Sequence, residues 1–148
     1  MTPLPHHYTV DLSGGPSGYA RLRTGEMPDI RTAPPTEYGG PGDAWTPEHL
    51  LLGAVEACFM FTFRAVANAA HVRFDYLELS SEGTVDRQDG RTRFTEIVLR
   101  PRLTIEPDVD REHLIRLVHK AERACLVSAS LNTAIRVEPE LVDAPCLV

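Results

Sequence analysis

The sequence lacks the features that mark several broad classes of protein. It has no internal repeat, no block of like charge, and no low-complexity tract beyond a Pro- and Gly-rich stretch at residues 33–43. Its net charge of −6 argues against a general nucleic-acid binder, which would carry a basic patch. The first seven residues contain no apolar signal core, so we expect a protein that is not secreted.

The sequence also lacks an uninterrupted membrane-spanning run. Its longest apolar stretch is broken by Glu56, Arg64 and Asn68, which predicts a buried helix and no membrane span. The chain has only three cysteines, and we expect no signal peptide. Together these features argue against a fold that is stabilised by disulfide bonds. We therefore expect a cytoplasmic, reducing location, in which a cysteine pair is reactive or simply buried.

What remains is the composition of an ordinary globular protein. The 148 residues suit a single domain over residues 1–148 with one core. Alternating apolar residues and turn signals predict an α+β fold, with a mostly antiparallel sheet covering buried helices. The predicted order is strands 7–12 and 19–24, a loop at 25–45, a helix at 46–70, strands 74–85 and 93–106 joined by an Asp89-Gly90 hairpin, a helix at 110–128, and a strand at 134–138.

The helix at 46–70 carries the main structural prediction. Thr46 is a good N-cap, Pro47 suits the first helical position, and Glu48 favours the positive end of the helix. The helix is apolar almost all round, which predicts burial on most of its faces. Because one sheet would cover such a helix poorly, we expect a homodimer with this helix at its centre.

Two cysteines on predicted helices, Cys58 and Cys125, are the candidate reactive groups. A thiolate attacks peroxide oxygen, and a second thiol turns the resulting sulfenic acid into a disulfide. Since Cys58 lies in mid-helix, we expect its activation to come from a cationic side chain held by a carboxylate such as Glu48. The alternative is that both cysteines are small buried apolar residues.

Helix geometry constrains how Glu48 could act on Cys58. Ten residues along one helix is roughly 15 Å of rise, so the two cannot touch within one chain. They would meet if two copies of the helix crossed antiparallel near Gly53, a small residue at their midpoint that allows close approach. Glu48 is alternatively a helix-start residue with no further role.

Other candidate groups receive simpler interpretations. The apolar residues that flank Cys58 would either wall a pocket for an apolar peroxide or pack in an ordinary core; they are Phe59, Met60, Phe61 and Phe63. His113 and His119 lack metal-ligand spacing with any cysteine, so no metal is expected. Cys146, near the C-terminus, is interpreted as incidental.

Two motifs resemble those of the OsmC/Ohr family. The resemblance covers roughly residues 8–140. The motifs are Thr46-Pro47-Glu48-His49-Leu50-Leu51, followed by Ala54-Val55-Glu56-Ala57-Cys58-Phe59, and Ala121-Glu122-Arg123-Ala124-Cys125-Leu126-Val127-Ser128.

The resemblance implies an OsmC-like fold in an intertwined homodimer that reduces organic hydroperoxides, and to a lesser extent hydrogen peroxide, without metal or haem. By position, Cys58 matches the peroxidatic cysteine, Cys125 the resolving cysteine, and Glu48 the carboxylate that orients an arginine. The implied reductant is a dithiol, and in relatives a lipoyl-bearing protein.

The chain departs from the family at the arginine itself. Gly14-Gly15 is followed by Pro16, and Tyr38 stands ten residues before Glu48, so no arginine matches either branch. The substitutes we consider are Arg21, Arg23 and Arg31, with Arg31 first because it lies in the predicted loop. Without the arginine, an alternative function is binding of an apolar ligand or redox sensing without catalysis.

Overall fold

The structure is a computed structural model that describes residues 3–145, so Cys146 lies outside the described residues. The chain divides into two compact units, and the boundary between them lies between Leu51 and Leu52. The single domain stays a prediction. The elements, in chain order, are β1 (Asp11–Gly14), β2 (Ala20–Arg23), β3 (Ile30–Thr32), α1 (Pro47–Ala69), β4 (Tyr76–Gln88), β5 (Arg91–Ile105), α2 (Arg111–Ala124), α3 (Leu126–Ala129), β6 (Ala134–Val137) and β7 (Glu140–Asp143).

The first unit contains an antiparallel sheet with the strand order β1-β2-β3. The predicted strand at 19–24 is confirmed as β2, whereas the one predicted at 7–12 starts later, at Asp11. The loop predicted at 25–45 is wrong in part, because it contains β3 and a 3-10 helix at Thr36–Tyr38. Strand β3 forms by pairing with β2, as in the Leu22–Ile30 pair, and that partner is not visible in local sequence.

Helix α1 begins as its capping residues predict. The hydroxyl of Thr46 accepts a hydrogen bond from the His49 N–H at 3.2 Å, and Pro47 is the first helical residue. The helix runs to Ala69 without interruption, which confirms the prediction for residues 46–70 to within a residue at each end.

Only one stripe of α1 is buried within the chain. Val55, Phe59, Phe63 and Ala67 recur every four residues and are at most 1% exposed, whereas Phe61 is 63% exposed. The prediction of burial on most faces is therefore wrong for a single chain. By length and composition α1 would be long enough to cross a membrane. Its buried stripe, however, packs in the core of a folded unit.

The second unit is built on a long hairpin of β4 and β5, which pair antiparallel from Tyr76–Thr104 to Gln88–Arg91. Its turn is Asp89-Gly90, as predicted, and both residues have positive φ, as a two-residue hairpin turn requires. Strands β6 and β7 both pair with β5 in parallel, so this sheet is mixed. The prediction of mostly antiparallel pairing is confirmed by the β1-β2-β3 sheet and the long hairpin, and these two short strands are the parallel exceptions.

Two prolines explain why the last strand pairing is split. Strand β6 pairs with β5 up to Leu99, and β7 resumes at Arg102. Pro101 lies in this gap, and Pro139 lies between β6 and β7. Because proline has no N–H to donate to a ladder, both residues stand where no ladder bond is needed. The sequence predicted β6 but missed β7.

Helix α2 buries the residues that its helical spacing predicted, Leu114, Leu117, Val118 and Ala121. Asp110 caps it by accepting a hydrogen bond from the His113 N–H at 2.9 Å. The prediction of one helix to Ser128 is wrong, because Cys125 adopts extended backbone with ψ 116° and separates α2 from α3. The core of this unit combines these residues with Phe59, Phe63 and Ala67 of α1 and with Leu77, Leu99, Leu103 and Ile105 of the hairpin.

The stacking of Phe63 on Phe59 predicts a large cost for its truncation. The two rings are parallel with centroids 6.1 Å apart, and Phe63 is fully buried. We expect Phe63→Ala to lower the free energy of unfolding by about 3–5 kcal/mol, since it removes transfer energy and leaves a cavity. Urea unfolding at one protein concentration measures this, with exposed Val85→Ala as the control. A loss below about 1 kcal/mol would contradict this packing.

Candidate active site

The structure brings Cys58 and Cys125 together. Cys58 lies in the middle of α1, on a half-buried part of the helix surface, and the buried Cys125 lies at the break between α2 and α3. Both cysteines are free, and hydrogen bonding between the two thiols shifts the pKa of each. The position of Cys125 follows from the end of α2, where its own N–H donates to the Glu122 carbonyl at 3.1 Å.

The break at Cys125 directs backbone donors at Cys58. The Val127 N–H, in α3, donates to Cys58 Sγ with a donor–acceptor distance of 3.5 Å. The neighbouring Leu126 N–H also lowers the pKa of the same thiol, as its last and smallest cause. A continuous helix would have used these N–H groups internally, so the interruption at Cys125 releases them for the thiol.

Hydrogen bonds outweigh burial in setting the pKa of Cys58. Burial alone raises that pKa, because it penalises the charged thiolate. The hydrogen bonds from the Cys125 thiol, the Val127 N–H, the Thr62 hydroxyl and the Leu126 N–H favour the thiolate and together lower the pKa from its usual value. Cys58 is therefore the thiol that ionises more easily.

The pKa of Cys125 moves in the opposite direction. Burial raises it, and its hydrogen bond to Cys58 raises it further, while the hydroxyl and N–H of Ser128 lower it only in part. Of the two thiols, Cys58 therefore has the lower pKa and Cys125 the higher one. A pair with this difference has the properties that a peroxidatic and a resolving cysteine would need.

Activation of Cys58 by a cationic side chain stays a prediction, because no cation is among the groups of residues 3–145 that shift its pKa. All the groups that lower the pKa of Cys58 are neutral. Sequence reasoning missed Leu126 and Val127, since no signal such as Gly or Pro marks the break at Cys125. It also missed Thr62, although its spacing of four residues from Cys58 places both on one helix face.

Glu48 has an unusual environment for a carboxylate. Its Oε2 is buried and has no hydrogen-bond partner among residues 3–145. A buried carboxylate oxygen without a partner is costly, and such atoms are rare in folded proteins. Glu48 therefore offers an acceptor that a single chain leaves unfilled.

The candidate arginines all have carboxylate partners other than Glu48. Arg31 was predicted to lie in a loop, but it lies in β3. Its guanidinium donates to the Asp43 carbonyl at 2.8 Å. It also lies 3.6 Å from the Asp43 carboxylate. Arg21 and Arg23 both approach Asp29, at 4.0 Å and 3.0 Å.

The aromatic residues that flank Cys58 were expected either to line an apolar pocket or to pack in the core, and they differ in this respect. Phe59 and Phe63 are fully buried, which confirms core packing for both. Phe61 alone is exposed, and the Arg64 guanidinium lies 5.5 Å from its ring centroid. A cavity of about 730 Å³ lies elsewhere in the second unit, away from both cysteines, and is lined in part by Arg64, Arg73, Phe74, Asp75 and Glu106.

Comparisons with known proteins show which proteins this chain is similar to. The family model for OsmC-like proteins matches residues 40–140. The chain is 32% identical over 129 residues to the organic hydroperoxide resistance protein of Xanthomonas axonopodis pv. citri, covering 84% of this chain and 86% of that protein. It is 28% identical over 109 residues to the uncharacterized protein YmaD of Bacillus subtilis, covering 72% of this chain and 73% of that one.

The solved structures agree on the fold. An OsmC-like protein of unknown function from Vibrio cholerae superposes with a TM-score of 0.84, over 91% of this chain and 99% of that one, at 16% identity. The chain is therefore an α+β protein with two neighbouring thiols. The chain belongs to the OsmC-like protein family, which confirms the OsmC/Ohr resemblance seen in its motifs.

The contact between the two thiols predicts how Cys125 variants change Cys58. Cys125→Ala removes the thiol donor while burial persists, so we expect the pKa of Cys58 to rise. Cys125→Ser keeps a donor and should change it less. The measurement is the pH dependence of Cys58 alkylation, followed by mass spectrometry of its peptide. An unchanged midpoint in Cys125→Ala would show that the thiols do not share a proton.

Proposed function

We propose that this protein is a thiol-dependent peroxidase that reduces organic hydroperoxides and, less efficiently, hydrogen peroxide. The observation that carries the proposal is the pair itself: Cys58, whose pKa is lowered and whose sulphur accepts from the Val127 N–H, lies beside Cys125, whose pKa is raised. The name of the Xanthomonas relative, an organic hydroperoxide resistance protein, supports the choice of substrate. The exposed ring of Phe61, three residues from Cys58, offers an apolar surface for the organic part.

The reaction has two steps that balance. The Cys58 thiolate attacks the terminal oxygen of the hydroperoxide, the O–O bond breaks, and the alkoxide takes a proton from water and leaves as the alcohol. Cys58 is now a sulfenic acid. The Cys125 thiol attacks its sulphur, a disulfide forms, and water leaves with the Cys125 proton.

Turnover then requires an external dithiol. Thiol–disulfide exchange returns both cysteines to the reduced state and oxidises the dithiol, for which a lipoyl-bearing protein is our proposed physiological donor. No bound cofactor enters these steps. A reducing compartment would supply such a donor, so we place the protein in the cytoplasm.

The decisive experiment compares wild type with Cys58→Ser. We expect wild type to consume cumene hydroperoxide in the presence of a dithiol reductant, and Cys58→Ser to lose this activity because a hydroxyl is a far weaker nucleophile. In Cys125→Ser the first turnover should persist, with a sulfenic acid trapped by dimedone. Equal rates for wild type and Cys58→Ser would disprove the peroxidase function.

We also propose that the protein acts as a homodimer in which two copies of α1 cross. Three observations support this: the exposed apolar faces of α1, the buried Glu48 oxygen without a partner, and the small residue Gly53 midway between Glu48 and Cys58. In an antiparallel crossing at Gly53, Glu48 of one copy lies beside Cys58 of the other. In that position, Glu48 of one copy would orient the side chains that surround Cys58 of the other copy.

Gly53 offers a direct test of the crossing. Within one chain, a Cβ added at Gly53 meets no other atom within 4 Å outside its own helix, and leucine favours a helix over glycine by about 1 kcal/mol. Gly53→Leu should therefore leave the folded chain intact but weaken the dimer, because two helices can no longer approach closely.

Light scattering over a dilution series measures this dissociation, with Ala69→Leu at the end of α1 as the matched control. A wild-type protein that is monomeric at micromolar concentration would disprove the dimer. A Gly53→Leu dimer as tight as wild type would place the crossing elsewhere.

A further inference from the structure

The cavity of about 730 Å³ in the second unit is formed by three segments that meet at the C-terminal end of α1. These are the last turns of α1 from Arg64, the segment at 72–75 that leads into β4, and the segment at 106–109 that leads towards α2. All three belong to the same compact unit. Neither Cys58 nor Cys125 lines this cavity, so it is separate from the candidate active site.

Backbone hydrogen bonds fix the chain where it leaves α1. The His71 N–H donates to the Asn68 carbonyl at 3.1 Å, and the Val72 N–H donates to the Ala67 carbonyl at 3.0 Å. His71 adopts the left-handed conformation that such a helix end requires, with φ 54°. This side of the cavity therefore has a defined shape.

The segment before α2 is ordered in the same way. The Val109 N–H donates to the Glu106 carbonyl at 3.2 Å, which closes a turn with Pro107 in its second position. Val109 packs against the core, whereas Glu106 and Asp108 are exposed. The turn thus places two carboxylates at the rim of the cavity.

The floor of the cavity is apolar. Ala67 is 1% exposed, and Val72, Phe74 and Val109 are partly buried residues that pack against the core. The ring of Phe74 lies 5.2 Å from that of the buried Phe63, measured between centroids. An apolar group of a ligand would therefore meet a firm apolar surface.

The rim carries charged side chains of both signs. Arg64 and Arg73 contribute two guanidinium groups, and Asp75, Glu106 and Asp108 contribute three carboxylates. Among residues 3–145, none of these five side chains forms an ion pair within 4.0 Å, whereas eight other arginines do. Opposite charges thus line one cavity without neutralising each other.

We propose that this cavity is a second binding site, which takes a short apolar peptide with free termini. The guanidinium groups of Arg64 and Arg73 would bind its carboxylate, and the rim carboxylates would bind its ammonium group. A purely anionic ligand would face three carboxylates, and a purely cationic one would face two guanidinium groups. The volume lies within the range of about 300–1,000 Å³ that is typical of small-ligand sites. The inference goes beyond the proposed peroxidase function and does not depend on it.

The dipeptide Leu-Leu is the probe, titrated into the reduced, full-length protein and followed by isothermal titration calorimetry. We expect saturable binding at one site per chain. N-acetyl-Leu-Leu lacks the ammonium group, and Leu-Leu amide lacks the carboxylate. Each should bind on the order of 10-fold more weakly than Leu-Leu, because each loses the interaction of one charged group.

Two double variants assign the charged ends of the peptide to the two sets of side chains. Arg64→Gln with Arg73→Gln should weaken the binding of Leu-Leu on the order of 10-fold and remove its advantage over the amide. Glu106→Gln with Asp108→Asn should instead remove its advantage over the acetylated peptide. Each pair keeps the size of the side chains and removes their charge.

The matched control is Arg91→Gln with Arg123→Gln. Both arginines are exposed, neither lines the cavity, and neither forms an ion pair with any of residues 3–145. This variant should bind Leu-Leu like wild type. Thermal unfolding checks that all variants are folded, and the single variants Arg73→Gln and Glu106→Gln replace a pair that is not.

Three results would overturn the inference. The first is the absence of saturable binding of Leu-Leu at millimolar concentration. The second is equal affinity of wild type for all three peptides, since the charged ends would then play no part. The third is wild-type affinity in the cavity variants, or an equal loss in the control, since binding would then occur elsewhere or follow net charge alone.

Discussion

The burial of one stripe of α1 is the interaction on which the rest of the second unit depends. Phe59, Phe63 and Ala67 anchor the helix in a core that includes Leu99 and other residues of β5, and Val55 of the same stripe is also fully buried. Once that stripe is buried, the rotation of the helix is set, and Cys58 stands at the edge of the core instead of inside it. Helix α2 packs into the same core and ends at Cys125, so one hydrophobic core positions both thiols.

The site shows how neutral groups set the reactivity of a thiol. Burial disfavours the thiolate of Cys58, and the hydrogen bonds from Cys125, Val127, Thr62 and Leu126 reverse that effect. The same contact that lowers the pKa of Cys58 raises that of Cys125, and this difference fits the roles of nucleophile and resolving thiol that we propose for them. This division of labour depends on the break between α2 and α3, because the break releases the backbone donors.

The surface that α1 leaves uncovered connects the fold to the proposed assembly. An exposed Phe61 on a helix of this hydropathy, together with the unfilled acceptor of Glu48, describes a chain with unsatisfied apolar and polar groups along one helix. Association with a second copy would satisfy both. The proposed crossing at Gly53 would do so while bringing Glu48 to the thiol that it cannot reach in its own chain.

Local patterns were sufficient for much of the fold. The capping residues at Thr46 and Asp110, the Asp89-Gly90 turn and the spacing of buried residues in α2 each act through near neighbours, and each predicted its element correctly. The two motifs around Cys58 and Cys125 were likewise sufficient to identify the family. Short strands such as β3 and β7 were missed because their stability comes from a partner strand elsewhere in the chain.

The chemical environment of the thiols lay beyond the reach of sequence patterns. The break at Cys125 carries no Gly or Pro, so an unbroken helix was the natural prediction, and the donors of Leu126 and Val127 were invisible. Likewise, Arg31 was assigned to a free loop until its pairing with Asp43 was known. A residue's partners in space depend on how distant segments pack, and the pKa of Cys58 is the sum of those contacts. The sequence therefore identifies the two candidate thiols, whereas the packing of α1 against α2 and α3 decides that Cys58 has the lower pKa of the two.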